Sequence, residues 1–354
     1  MKDKIFVYLF MFYIITFFSL HIIFKDNNIS ISERRTLSTF PKLTISNEYI
    51  KDIETYMLEH FPYRDKFRNI KANYNYKILN KLDNNNIYIE KDNIYKSNYP
   101  TNKKSIDYFI NNINKTKEQF NENNNVYLMI IPDKNYYLDN KLFLHIDYDY
   151  IYSKINELNI NNIDIRNILN KNDYYKTDTH WKQENLNKVI KHINNYMNFN
   201  YIDYSYKKNT FDKFYGVYYG ESALKTNPET ITYLSNNILD NVNVSYLENN
   251  KLNKIYNIDK LNSFDPYEVY LDGASSFIEI KNELSTTDKE LIIFRDSFAS
   301  SITPLLVPYY KKITIIDNRY INSNNYLNYI KYDNQDIIFM YSTLIINNSL
   351  SLKG

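Results

Sequence analysis

The stretch Leu291-Ile292-Ile293-Phe294-Arg295-Asp296-Ser297-Phe298 decides the fold. Its first four residues are apolar and two of them are β-branched, which reads as a short buried strand. A polar Arg-Asp-Ser triplet ends the strand, and a helix or turn follows before Pro304. Ser297 is thereby predicted at the carboxyl end of a buried strand, with its hydroxyl exposed at the edge of a sheet. Open α/β sheets hold their ligands at that edge, and hydrolases place a nucleophilic serine at the same strand-to-helix corner. A plainer account is that Asp296 or Ser297 only caps the next helix. The choice turns on whether the chain supplies a base.

Outward from this strand, apolar runs alternate with helical spacing. Val126 to Pro132, the neighbourhood of Ile163, Lys312 to Asp317 and Asp336 to Tyr341 read as strands. Ser105 to Asn121 and Glu184 to Tyr196 read as helices, and Asn86 to Tyr95 as a strand or hairpin. Such alternation implies an α/β sandwich around a mainly parallel sheet. Asn47 to Asn80 is helical in period, with Ile50, Ile53, Met57 and Phe61, then Phe67, Ile70, Tyr74 and Ile78, interrupted at Pro62. Residues 200–283 are less regular and hold Gly216, Gly220 and Gly273, three of only 4 glycines. With no repeat and no Pro- or Gly-rich divider, residues 47–354 are expected to form one domain, with an irregular insertion around 200–283. Residues 26–46 read as a linker packing Leu37 and Phe40 onto it.

Ile5 to Phe24 is an uncharged apolar run of 20 residues between Lys2-Asp3-Lys4 and Lys25-Asp26. At about 1.5 Å per residue it spans a hydrocarbon core of roughly 30 Å. Phe17-Phe18-Ser19-Leu20-His21 offers no small-x-small cleavage site, so residues 1–25 are read as an uncleaved transmembrane signal anchor. Lys2 and Lys4 favour a cytoplasmic amino terminus, while Lys25, Arg34 and Arg35 oppose it. The short tail and large following domain place that domain outside the cytoplasm. A net charge of +2, with 24% charged residues, gives nucleic acid no electrostatic footprint. The absence of cysteine excludes disulfides, zinc-thiolate sites, cysteine nucleophiles and lipoprotein anchoring. The 38 tyrosines make no single tyrosine informative.

Five histidines are available as bases. His21 lies in the apolar run, His60 precedes Phe61-Pro62, and His145 and His192 have no supporting pattern. His180 stands in Tyr174-Tyr175-Lys176-Thr177-Asp178-Thr179-His180-Trp181. On an extended segment, Asp-x-His puts both side chains on one face, where the carboxylate can orient an imidazole toward a serine. A structural, hydrogen-bonded histidine fits the tripeptide equally. No metal-ligand spacing is visible, and no cofactor is implied.

Asp178-Thr179-His180-Trp181 resembles the Asp-His-His-Trp signature of the bacterial DHHW proteins and their relatives, the alginate O-acetyltransferases of the AlgJ and AlgX type. Three further stretches agree in order: Glu33-Arg34-Arg35-Thr36-Leu37 through Phe40-Pro41-Lys42-Leu43, His60-Phe61-Pro62-Tyr63-Arg64-Asp65, and Phe294-Arg295-Asp296-Ser297-Phe298. The resemblance runs from about Ser32 to Tyr341. It implies an SGNH-hydrolase-like three-layer sandwich behind the transmembrane helix, with Ser297 as nucleophile, His180 as general base and Asp178 as its orienting carboxylate. It also implies acetyl transfer to or from a cell-surface or exported polysaccharide, and a multi-spanning membrane acyltransferase as acyl donor. The Ser297 N–H is the expected oxyanion donor. Arg319, Gly273, Trp181 and Tyr175 are further oxyanion or substrate-contacting candidates. Three departures stand out. Thr179 replaces the middle histidine, Gln183-Glu184-Asn185 lacks a glycine common after the tryptophan, and Leu271-Asp272-Gly273-Ala274 stands where relatives tend to carry Gly-Gly-Asn. Losing one oxyanion donor costs a factor on the order of a hundred or more. An inactive polysaccharide-binding or assembly protein on the same fold is therefore the alternative.

Overall fold

The computed structural model describes residues 2–138 and 142–353; residues 1, 139–141 and 354, which the predicted anchor and domain also include, lie outside it. Seven strands build the central sheet: β1 (Asn125–Ile131), β2 (Asn161–Asn162), β3 (Asn243–Tyr246), β4 (Phe277–Lys281), β5 (Glu290–Arg295), β6 (Lys312–Ile316) and β7 (Asp336–Ser342). Their order across the sheet is β3-β4-β6-β5-β7-β1-β2. From β6 to β2 every pairing is parallel, and β4 runs antiparallel to both its neighbours.

The longer helices are α1 (Lys2–Ile23), α2 (Asn47–Glu59), α3 (Arg64–Asn73), α4 (Lys103–Lys117), α5 (Tyr148–Asn156), α6 (Asn187–Met197) and α7 (Ala299–Leu306), of which α4 to α7 pack on the sheet. Strand side chains alternate between faces, so the quoted run feeds two cores. Leu291 and Ile293 join Val189, Ile190 and Ile193 of α6 and Ile302 and Leu305 of α7. Ile292 and Phe294 join Ile106 and Phe109 of α4 and Ile151 and Ile155 of α5. Both faces are covered, which is why the strand is continuously apolar. Each such side chain contributes about 1.5–3 kcal/mol on burial.

The chain divides into two compact units, one made of the chain up to Ile87 with Val217–Asn227, the other of Tyr88–Gly216 with the chain from Pro228 onward. The region 200–283 is more regular than its sequence suggests. It supplies β3 and β4 to the sheet and an antiparallel ribbon, Lys207–Phe214 against Glu229–Ser235.

In the first unit, residues 26–46 are strapped rather than loose. Ile29–Ser30 pairs with Arg35–Thr36, and the Glu33 carboxylate holds Arg35, Arg64 and Arg68 at 3.2, 2.7 and 3.1 Å. Ser46 caps α2 by accepting the Tyr49 N–H. At Pro62 the helices part, with Tyr63 in the left-handed region at φ 59°. α1 is long and apolar enough to cross a membrane.

Candidate active site

β5 stops at Arg295 because the next residue turns its hydrogen bonds sideways. The buried Asp296 carboxylate accepts the backbone N–H of Phe298 at 2.9 Å and of Ser342 at 2.7 Å. Ser297 therefore sits on a pinned turn two residues before the core-packed α7 begins, and it is only half-buried. Among the described residues no carbonyl or side chain accepts the Ser297 N–H.

The second half of the site is the loop 174–181. An antiparallel bridge between Tyr174 and Trp181 closes it, and the Tyr175 N–H donates to the His180 carbonyl at 3.1 Å. Two charged groups fill its interior. The buried Lys134 ammonium donates to the carbonyls of Tyr175, Lys176 and Asp178 at 2.8, 2.9 and 3.2 Å. Glu229 accepts the N–H groups of Lys176 and Thr177 and the Thr177 hydroxyl, each at 2.7 Å. Burial pulls the Lys134 amine down to about 7, against the attraction of Glu229 and Asp178. Gly216 is required here: a Cβ on it would lie 2.2 Å from the Thr177 carbonyl oxygen.

This loop is bent, not extended as the sequence suggested. The two side chains meet through a turn in which Asp178 Oδ1 accepts the His180 backbone N–H at 3.0 Å and its ring Nδ1–H at 2.7 Å. The far nitrogen, His180 Nε2, lies 2.8 Å from Ser297 Oγ. The Asp178 side chain is 1% exposed and that of His180 13%, so the carboxylate is sealed behind the ring. With Nδ1–H committed to Asp178, Nε2 carries the lone pair and accepts the serine hydroxyl. The imidazole also stacks on Tyr267, with centroids 3.8 Å apart and planes 9° from parallel.

A buried polar cluster ties this loop to α7. The Trp181 indole N–H donates to the Phe298 carbonyl at 3.0 Å and to Ser301 Oγ at 2.9 Å. The Tyr267 hydroxyl donates to the same Ser301 oxygen at 2.9 Å. Gln183 reaches the Ser301 carbonyl at 2.7 Å while accepting the Leu234 N–H.

The other predicted positions lie elsewhere. Trp181 and Tyr175 are fully buried, behind the hydrogen-bonded chain rather than open to a substrate. Arg319 is committed to Asp317 through two bonds of 2.9 and 2.6 Å. Gly273 has φ +76°, and its N–H donates to the Tyr270 carbonyl at 3.2 Å. Sequence reading missed Lys134, Tyr267, Gln183 and Glu229. Lys134 alone carried a signal, a charged pair directly after a buried strand and its terminal proline.

No protein-family model and no curated protein matches the sequence. Solved structures share the fold. A DHHW family protein from Eubacterium siraeum superposes with TM-score 0.63 at 18% identity, covering 77% of this chain and 97% of that one. Bacillus cereus PatB1, in a structure with a sulfonyl adduct, gives 0.57 at 17%, covering 76% and 100%. The O-acetyltransferase domain of Pseudomonas putida AlgJ gives 0.45 at 8%, covering 74% and 92%. The fold is thus that of the DHHW family protein and PatB1, a three-layer α/β sandwich.

Proposed function

We propose that the chain is a membrane-anchored serine acyltransferase or esterase whose catalytic domain lies outside the cytoplasm and handles acetyl groups of a cell-surface or exported polysaccharide. One observation carries this reading: the unbroken chain from Asp178 Oδ1 through both nitrogens of His180 to Ser297 Oγ, at 2.7 and 2.8 Å. A serine hydroxyl is a weak nucleophile at neutral pH and needs such a base within reach.

In this mechanism Ser297 Oγ attacks the acetyl carbonyl carbon as its proton passes to His180 Nε2. Asp178 holds the ring in its tautomer and stabilises the imidazolium that forms. The Ser297 N–H is positioned by sequence to meet the developing oxyanion. Collapse expels the donor alkoxide, which takes the proton back from His180 and leaves acetyl-Ser297. A sugar hydroxyl or water then gives its proton to His180, attacks the acyl carbon, and releases Ser297.

Turnover of a chromogenic acetyl ester and labelling by a sulfonyl fluoride test the reading on the full chain in detergent. Both are expected to vanish in Ser297→Ala and to fall in His180→Ala. Turnover that survives Ser297→Ala sinks it. A non-catalytic polysaccharide-binding protein is the second reading. It is favoured by Ala274, by the engaged Gly273 N–H and by Arg319's commitment to Asp317, which together leave few oxyanion donors. A folded wild type that binds glycan yet takes no label would favour that second reading.

A further inference from the structure

The sequence spaces Tyr63, Phe67, Ile70, Tyr74 and Ile78 along one helical face, a period that normally marks a buried stripe. Here the stripe faces outward. Ile70 and Ile78 are 62% and 65% exposed, and Tyr63, Phe67 and Tyr74 are exposed as well. The buried side of the same segment, α3 and the π-helical turn Tyr74–Ile78 that extends it, is formed by Ala72 and Asn75, beside Arg64 and Arg68 paired to Glu33. A helix with its apolar face turned out and its ion pairs turned in needs an apolar surface to cover it.

The position of α1 says which surface. Phe17 of α1 stacks on Phe61 at 5.2 Å and meets Phe67 edge-on at 5.8 Å, and Phe24 meets Tyr63 edge-on at 5.3 Å. Phe17 lies about 10 Å inside the carboxyl end of the apolar run. Once α1 spans a bilayer, Tyr63 beside Phe24 is thus level with the boundary between headgroups and acyl chains, and the rings touching Phe17 reach below it among the acyl chains. The stripe starts at this contact. Between Tyr63 and Leu82 the segment carries Arg64, Lys66, Arg68, Lys71, Lys77 and Lys81 against Asp65 and no other acid before Asp83. Lysines flanking an apolar face, with tyrosines among them, suit an anionic lipid surface.

We propose that residues 63–78 lie on the bilayer surface beside α1, with Phe67, Ile70, Tyr74 and Ile78 immersed and the lysines among the headgroups. This rests on α1 being embedded in the membrane, as in the reading above. The membrane then holds the first unit along a line rather than at a single point.

The chain has no cysteine, so single cysteines can be placed cleanly. Ile14→Cys, Ile70→Cys, Ile78→Cys and Asp288→Cys, each in the full chain, are labelled with an environment-sensitive fluorophore. They are then reconstituted in phosphatidylcholine–phosphatidylglycerol vesicles. Brominated lipid is expected to quench labels at 14, 70 and 78 but not at 288, and aqueous iodide to quench 70 and 78 several-fold less than 288. Labels at 70 and 78 open to iodide and untouched by bromolipid, with 14 quenched by lipid, would overturn the proposal and leave the anchor intact. Labels at 70 and 78 shielded from both quenchers would also overturn it, in favour of a protein partner. A label at 14 untouched by bromolipid would instead remove the anchor reading on which the proposal stands.

Discussion

Two parallel strands, β1 and β5, flank β7 and end alike, in a charged pair at the same edge of the sheet, yet they do opposite work. After β1 come Asp133 and Lys134, both buried. Asp133 accepts from Thr343 at 2.7 Å, from the Asn135 N–H at 2.8 Å and from the Tyr148 hydroxyl at 3.0 Å. Burial pushes its carboxyl above the ordinary range. Lys134 spends its three donors on backbone carbonyls. After β5, Asp296 is saturated in the same way, but the next residue is a half-buried serine facing one imidazole nitrogen. The difference lies in what is left over. A strand end is inert when every polar group has an internal partner, and becomes a candidate for chemistry when one hydroxyl stays at the surface beside a base.

Changing residues at the two ends separates these roles, and the largest effect is expected at β5. His180→Ala should lower ester turnover by a factor on the order of 10²–10⁴, with thermal unfolding little changed. A fall of less than several-fold would mean that the hydroxyl does not depend on this base.

Lys134→Met should come next, slowing sulfonyl labelling of Ser297 about 10- to 100-fold as three carbonyls lose their donor. Each carbonyl left unpaired costs about 1–3 kcal/mol. The same variant has a pH signature. Burial brings the folded-state amine down to about 7, below the ordinary lysine value of about 10.4, so between these pH values the unfolded chain binds the extra proton. Stability therefore rises with pH across that window. Urea midpoints of wild type should climb from pH 7 to pH 10 relative to Lys134→Met; parallel curves would refute the buried amine.

Smaller effects should distinguish the two aspartates. Both Asp296 oxygens accept fixed backbone N–H groups, so Asp296→Asn forces an amide NH₂ against a donor. A loss of about 1–3 kcal/mol is expected by calorimetry, with slower labelling. Asp133 takes most of its bonds from hydroxyls of Thr343 and Tyr148, which can turn to accept. Asp133→Asn should change stability by about 1 kcal/mol or less and leave turnover alone; a large loss in turnover would erase the contrast between the ends.

Much of the parallel sheet was legible because a strand covered on both faces writes an unbroken apolar run, as in Leu291–Phe294. The Asp178, His180 and Ser297 set was legible as residue types in order, and its geometry was not. The turn that joins Asp178 to His180 depends on Lys134, Glu229 and Gly216, which lie between 39 and 53 residues away along the chain from the groups they hold. Lysine is almost never fully buried, so the charged pair after the strand and proline marks a strand end but not the burial of Lys134. β3 and β4 were hidden because a strand of four or five residues near the sheet edge leaves little alternation to read. The period from Phe67 to Ile78 was read as a helix correctly, but periodicity does not say what covers the stripe.

Trp181 carries one last consequence. It is the only tryptophan, and its indole N–H is bonded to the carbonyl of Phe298, the residue after Ser297. Red-edge excitation, which the 38 tyrosines do not absorb, thus reports from a single point behind Ser297. The protein carries its own optical gauge: an adduct on Ser297 that shifts this turn should register as a change in emission, and a stopped-flow trace would time acylation with no dye attached.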